Sequence, residues 1–194
     1  SKARRLLDEA GYTDRDQNGF RENQDGQEIR LTLLVDPAKA HNARLTELVS
    51  EYLRSMGLRV SVKSVEGSTW ITLKDRYEYD LVIARTSAWG MLMHASWATG
   101  YFDSRRTGDG VLHTVDDASF LDLCDRLLAT TDPGASKRLA GSVQDYYSAH
   151  LPAVPLFWNT IITPYNQEFS GWALDPLYGL YNIDTLLNLR RETP

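Results

Sequence analysis

Cysteine is nearly absent: Cys124 is the only one in 194 residues, so the chain forms no internal disulfide and no cysteine-rich zinc site. Long apolar runs are missing too. Nothing approaches the roughly 20 residues of a membrane helix, and the opening "SKARRLLDEAGY" holds no long apolar segment of a secretory signal. Positive charge is sparse and dispersed, with 21 Lys and Arg against 26 Asp and Glu, a formal charge of -5, and no basic cluster longer than "RR". That balance argues against nucleic acid as a partner. There is no G-x-S-x-G elbow, Walker loop, Rossmann glycine fingerprint or H-E-x-x-H, so the common catalytic arrangements leave no local signature. His41, His94, His113 and His150 are scattered, and a Ser-His-Asp site would have to assemble from distant positions.

What is present is enough apolar material, 42% of residues, for one sizeable domain with a real core. "ARRLLDEAGY" predicts a short helix stopped by Gly11. "EIRLTLLVD" sets Ile29, Leu31, Leu33 and Val35 on one face with Leu34 apolar on the other, the pattern of a strand covered on both sides. In "HNARLTELVSEYLRSMG" the apolar residues recur at three-and-four spacing up to Gly57, and "LRVSVKSV" returns to period two. These three pieces predict a strand-helix-strand unit with parallel strands. "STWITLKDR" follows as a short helix opened by Ser68 or Thr69, and "YDLVIARTS" as an interior strand. The aromatic and glycine-rich segment from Ala88 to Leu112 has no period and reads as a long loop. Asp116 is the expected cap of "DASFLDLCDRLLATT", where Cys124 falls among Phe120, Leu127 and Leu128 as a buried thiol. Asp132 and Pro133 open a second helix with Leu139, Val143, Tyr146 and Tyr147 on one side. "AVPLFWNTIITPYN" reads as a strand ending near Pro164, and the tail as loop with a short apolar segment. The sum is one α/β domain over residues 1–194, wound around a mixed, mostly parallel sheet flanked by helices.

Two stretches carry candidate chemistry. In "DRDQNGFRENQD", Asp14, Asp16 and Asn18 take the alternating positions whose oxygens ligate calcium in an EF-hand, with Gly19 at the sharp turn and Glu22 at the position that often acts through water. The last ligand position holds Asp25 instead of Glu. EF-hand loops lie between two helices, whereas here a helix leads in and a strand leads out, so a structural turn is the first reading and a weak calcium loop the second. The other stretch is "AWGMLMHASWATGYF", directly after the third strand, where open α/β sheets bind ligands. Trp89, Trp97, Tyr101 and Phe102 offer stacking surfaces, and Met91, Met93 and His94 are ligand types suited to a transition metal or its chelate, although each also suits a core beneath a loop.

The phrases "LLDEAGYTDRDQNGFRENQDGQEIRLTL", "LTELVSEYLRSMGLRVSVKSV", "YDLVIARTSAWG", "LLATTDPGASKRLAGSVQDYYSAHLPAVPLFWN" and "GLYNIDTLLNL" span nearly the whole chain. Their order resembles the carboxy-terminal lobe of bacterial extracellular solute-binding proteins, family 5, the peptide- and nickel-binding receptors of ABC importers. The resemblance implies a periplasmic-binding-protein-like lobe of a two-lobed receptor that traps a peptide, a metal chelate or another small solute between lobes and delivers it to ABC permease subunits, without catalysis. It also implies a missing amino-terminal lobe carrying an export signal or lipid anchor, and hence a place in the periplasm or on the outer face of the cell membrane. Membrane contact would then run only through the permease or that anchor. Trp89 and Gly90 are the expected pocket wall, joined by Met91, Met93, His94 and Trp97. Peptide-binding relatives often carry an aspartate where this chain has Leu92, and the nickel branch a Tyr-Asp-Pro phrase where it has "MLMH". No cofactor is expected beyond the candidate calcium. A ligand sensor docking to a membrane partner on the same fold, or an α/β hydrolase, are the alternatives.

Overall fold

A computed structural model of the chain describes residues 1–39, 41–84, 100–105, 114–157, 162–175 and 178–192. They belong to two compact units, Ser1–Arg85 and Thr86–Pro194.

The first unit is built on the apolar run "RLTLLV". It forms strand β1 (Arg30–Val35), and alternation sends Leu33 and Val35 to one face and Leu34 to the other. All three are buried, with Leu34 at 0% exposure, so both faces of β1 are covered as the sequence predicts. Helix α1 (Lys2–Glu9) precedes it, capped by Ser1. After β1 come α2 (Asn42–Ser55), β2 (Arg59–Ser64), α3 (Gly67–Asp75) and β3 (Leu81–Val82). The sheet runs in the order β2-β1-β3 and is parallel throughout, with Leu33 opposite Val62 on one side and Leu81 on the other. Leu45, Val49 and Leu53 of α2 pack onto Leu33, Val35, Val60 and Ile83, which is the predicted strand-helix-strand unit. The chain leaves α2 through Gly57 at φ +87°, a left-handed turn that glycine adopts without strain. Helix α3 opens at Gly67 with Glu66 as its cap, two residues before the expected Ser68. Among the described residues β3 is the short edge strand, and β1 holds the interior place.

In the second unit α4 (Ala118–Ala129) packs on α5 (Pro133–His150). Their core is Phe120, Cys124 and Leu127 from α4 with Val143 from α5 and Val115 before them, so the thiol is buried as expected. Asp132 caps α5, accepting from the Ala135 N–H at 2.6 Å with Pro133 in the first turn. The α4 cap is Asp117, not Asp116: the Asp117 carboxylate accepts from the Ser119 and Phe120 N–H groups, while Asp116 receives the Ser104 hydroxyl at 3.3 Å. The described part of "AVPLFWNTIITPYN" is not a strand. Pro152, Pro155 and Pro164 lie in and beside it and each removes a ladder donor. Among the described residues the strands of this unit are β4 (Phe169–Ser170) and β5 (Arg190–Arg191), paired antiparallel, with helix α6 (Ile183–Asn188) before β5. The Asn182 side chain caps α6 and also donates to the Ala173 and Gly179 carbonyls at 2.6 and 2.7 Å.

Candidate functional site

The acidic loop between α1 and β1 is ordered by its own side chains. Asp14 Oδ2 accepts from the Gly19 N–H at 2.9 Å, Asp16 Oδ1 from the Asn18 N–H at 3.1 Å, and Asn18 Oδ1 from the Phe20 N–H at 2.8 Å. These are side-chain-closed turns, the local chemistry that Asp and Asn bring to loops. The chain then doubles back: Glu22 bridges to Thr13 on one side and to Glu28 on the other, both antiparallel. That reversal buries Glu22 to 5% exposure and seats its Oε2 on the Arg15 N–H at 2.8 Å. As a result one carboxylate oxygen each of Asp14, Asp16 and Glu22 lie within 4.8 Å of one another. Asn18 and Glu28 join Asp16 and Glu22 in lining a shallow cavity of about 190 Å³. Asp25 stands in the following turn, its N–H given to Asn23 Oδ1 at 3.0 Å, and is not in that trio.

Arg15 also lines that cavity, and further arginines flank the loop. Arg59 donates from Nε to Glu28 Oε1 and from Nη2 to Glu28 Oε2 at 3.2 Å, while its guanidinium lies 3.8 Å from the centre of the Phe20 ring. The Arg59 hydrogen bond, aided by the charges of Arg30 and Arg59, holds the Glu28 carboxyl below its ordinary value. Arg21, buried, donates to Met56 O and Asp8 Oδ1, each at 2.6 Å, and to the Tyr12 carbonyl.

The second expected site starts at the carboxyl edge of the parallel sheet. There the Asp36 carbonyl accepts from Asn42 Nδ2 at 2.8 Å and its Oδ1 from the Ala38 N–H at 3.0 Å, which fixes the turn into α2. The segment after β3 leaves the same edge, but Trp89, Gly90, Met91, Met93, His94 and Trp97 lie outside the described residues. So does His113. His41 opens α2 at φ 73° with no side-chain capping bond, and His150 stacks on Tyr146 with ring centres 4.2 Å apart, both away from any catalytic arrangement among the described residues.

Sequence reasoning missed a candidate in the second unit: Asp103, 1% exposed, is gripped by Arg105 through Nε at 3.0 Å and Nη2 at 2.9 Å, and Arg105 also reaches Asp125 at 2.8 Å. The two carboxylates raise the Arg105 guanidinium well above its ordinary value. The network ties the turn at residues 103–105 to α4, beside the bridge of Asp103 to Val115. It reads as structural support, and the spacing "DSR" offers no periodic signal that would have revealed it.

Residues 1–108 match the family of bacterial extracellular solute-binding proteins, family 5 Middle, and the chain belongs to that family. Its fold is shared by the periplasmic oligopeptide-binding protein of an oligopeptide ABC transporter from Thermotoga maritima bound to mannohexaose, at 19% identity and TM-score 0.74, covering 100% of this chain and 39% of that one. AppA, the oligopeptide-binding protein of Bacillus subtilis in complex with a nonapeptide, matches at 17% identity and TM-score 0.66, over 99% of this chain and 37% of its own. NikA from Brucella suis in complex with Fe(III)-EDTA matches at 24% identity and TM-score 0.60, over 75% of this chain and 29% of its own. The chain thus spans about two fifths of the length of the first of these structures. No curated protein matches it. No helix among the described residues is long and apolar enough to cross a membrane.

Proposed function

We propose that this chain is the ligand-binding part of an extracytoplasmic receptor that captures a small solute and hands it to an ABC permease. The observation that carries this reading is the family match over residues 1–108, and the fold likeness extends over the rest of the chain. In this reading the segment leaving the carboxyl edge of the sheet supplies the pocket wall, with Trp89 and Gly90 first and Met91, Met93, His94 and Trp97 beside them. Tryptophan supplies a broad apolar face for stacking, and the Met-Met-His run supplies soft and borderline donors to a metal chelate. The ligands bound in the three structures, an oligosaccharide, a nonapeptide and a metal chelate, define the panel to test.

The experiment is thermal unfolding of the full-length receptor against di- to pentapeptides, mannohexaose, free nickel and nickel-histidine chelates. A ligand at 100 times its dissociation constant adds about 2.7 kcal/mol of stability. A shift with one ligand class, lost in Trp89→Ala and accompanied by no chemical change in the ligand, supports the reading. Turnover of any panel member, or binding that Trp89→Ala leaves intact, overturns the assignment of a passive cleft walled by Trp89.

A further inference from the structure

We propose that the loop from Asp14 to Glu22 is a calcium site whose closing ligand is the buried Glu22. Three acidic side chains meet there, one oxygen of each within 4.8 Å of the other two. Exposed acidic groups often cluster without an ion, so proximity alone is not the argument. The deciding group is Glu22: it is 5% exposed, one oxygen is used by the Arg15 N–H, and Oε1 is buried without a hydrogen-bond partner among the described residues. Burying a carboxylate oxygen away from both water and donors is costly, and native proteins resolve it with a partner. Among the described residues no Lys or Arg side chain bonds Glu22, although Arg15 lines the same cavity. Among the described residues, none forms an ion pair with Asp14, Asp16 or Glu22: the Arg15 guanidinium turns to the Gln24 carbonyl, and Arg30 and Arg59 are paired to Glu28. The unmet need is for a cation from solution.

The donor set names the cation. Asp14, Asp16 and Glu22 provide hard oxygens, and Asn18 lines the adjoining cavity with Asp16 and Glu22, with no sulfur or imidazole among its lining residues. Such a set selects against soft metals. Magnesium demands a small, near-ideal octahedron and keeps its waters, whereas calcium accepts several protein oxygens in a flexible arrangement. The site also departs from an EF-hand in a way the fold explains. There a helix follows the loop and a ligand in its first turn closes the shell; here the chain reverses at Glu22 into the bridge with Glu28, which brings the ninth loop position to the place usually taken by the twelfth. The proposal stands independently of what solute the receptor carries.

The test is calcium titration of the chelator-stripped chain by calorimetry and thermal unfolding, with magnesium as the comparison. Expected are a dissociation constant of about 10⁻⁴ to 10⁻³ M, in the range of extracellular calcium modules, and a rise in Tm with calcium that magnesium does not match. Glu22→Gln and Asp16→Asn should each weaken calcium binding by about tenfold or more. Glu22→Gln carries a second signature. Because it removes a buried, half-satisfied charge, its metal-free Tm should equal or exceed that of the parent in chelator, which a merely damaged loop would not do. Asp16→Asn, at an exposed position, keeps the test open should Glu22→Gln fold poorly. No response to about 10 mM calcium overturns the proposal. An unchanged response in both variants, or an equal response to magnesium, does so as well.

Discussion

Arg21 and Gly57 meet backbone to backbone and side chain to backbone: the Arg21 N–H donates to the Gly57 carbonyl at 2.7 Å, and a β-carbon added to Gly57 would stand 3.1 Å from Arg21 Cγ. Gly57 also sits at φ +87°, the turn that ends α2 and starts β2. Gly57→Ala should cost about 1–2 kcal/mol from the left-handed backbone, with the Arg21 contact adding to it because that buried side chain is held by Met56, Asp8 and Tyr12. Urea unfolding reads this directly.

Leu33 and Leu34 are neighbours in sequence that serve opposite faces of β1, at 1% and 0% exposure. Truncating either to alanine should cost about 2–5 kcal/mol, since each leaves a cavity that its surroundings fill only in part. A strand with one wet face would give a large loss for one and almost none for the other. The comparison of the two chemical denaturation curves distinguishes these cases.

Glu28 gives the chain an acid-sensitive contact. Its hydrogen bond from Arg59 places the folded-state pKa below the ordinary value of 4.5, so its contribution to stability is present above that value and is lost as pH falls through the lower folded value. Glu28→Gln should therefore flatten the stability-against-pH curve on its acid side, below about pH 4.5, and leave the slope near neutrality unchanged. Chemical denaturation across the acid range measures it.

Much of the first unit was legible in the sequence, because period two and period 3.6 are imposed by burial and here nothing competes with them. Leu33, Val35, Val60, Leu45 and Val49 all take the places their spacing predicts. Near misses came where two residues offer the same chemistry. Asp116 and Asp117 can each cap α4, and the choice depends on Ser104, which takes Asp116 from a distance no local pattern reveals. The acidic loop shows the same limit. Ligand spacing singled out Asp14, Asp16 and Asn18, but which later acid closes the group depends on where the chain reverses, and the bridges of Glu22 to Thr13 and Glu28 are tertiary facts. The described residues of the expected strand before Pro164 are not strand for a readable reason, the prolines in and beside it that lack a donor.

Cys124 gives the molecule a reporter that requires no engineering. It is the only thiol in the chain and is sealed between α4 and α5 beside Phe120 and Leu127. A disulfide reagent in solution reaches it only when that helix pair opens, so the labelling rate times local opening, much as amide exchange does. Followed with and without solute or calcium, the same sulfur would show whether binding elsewhere in the receptor quiets this helix pair.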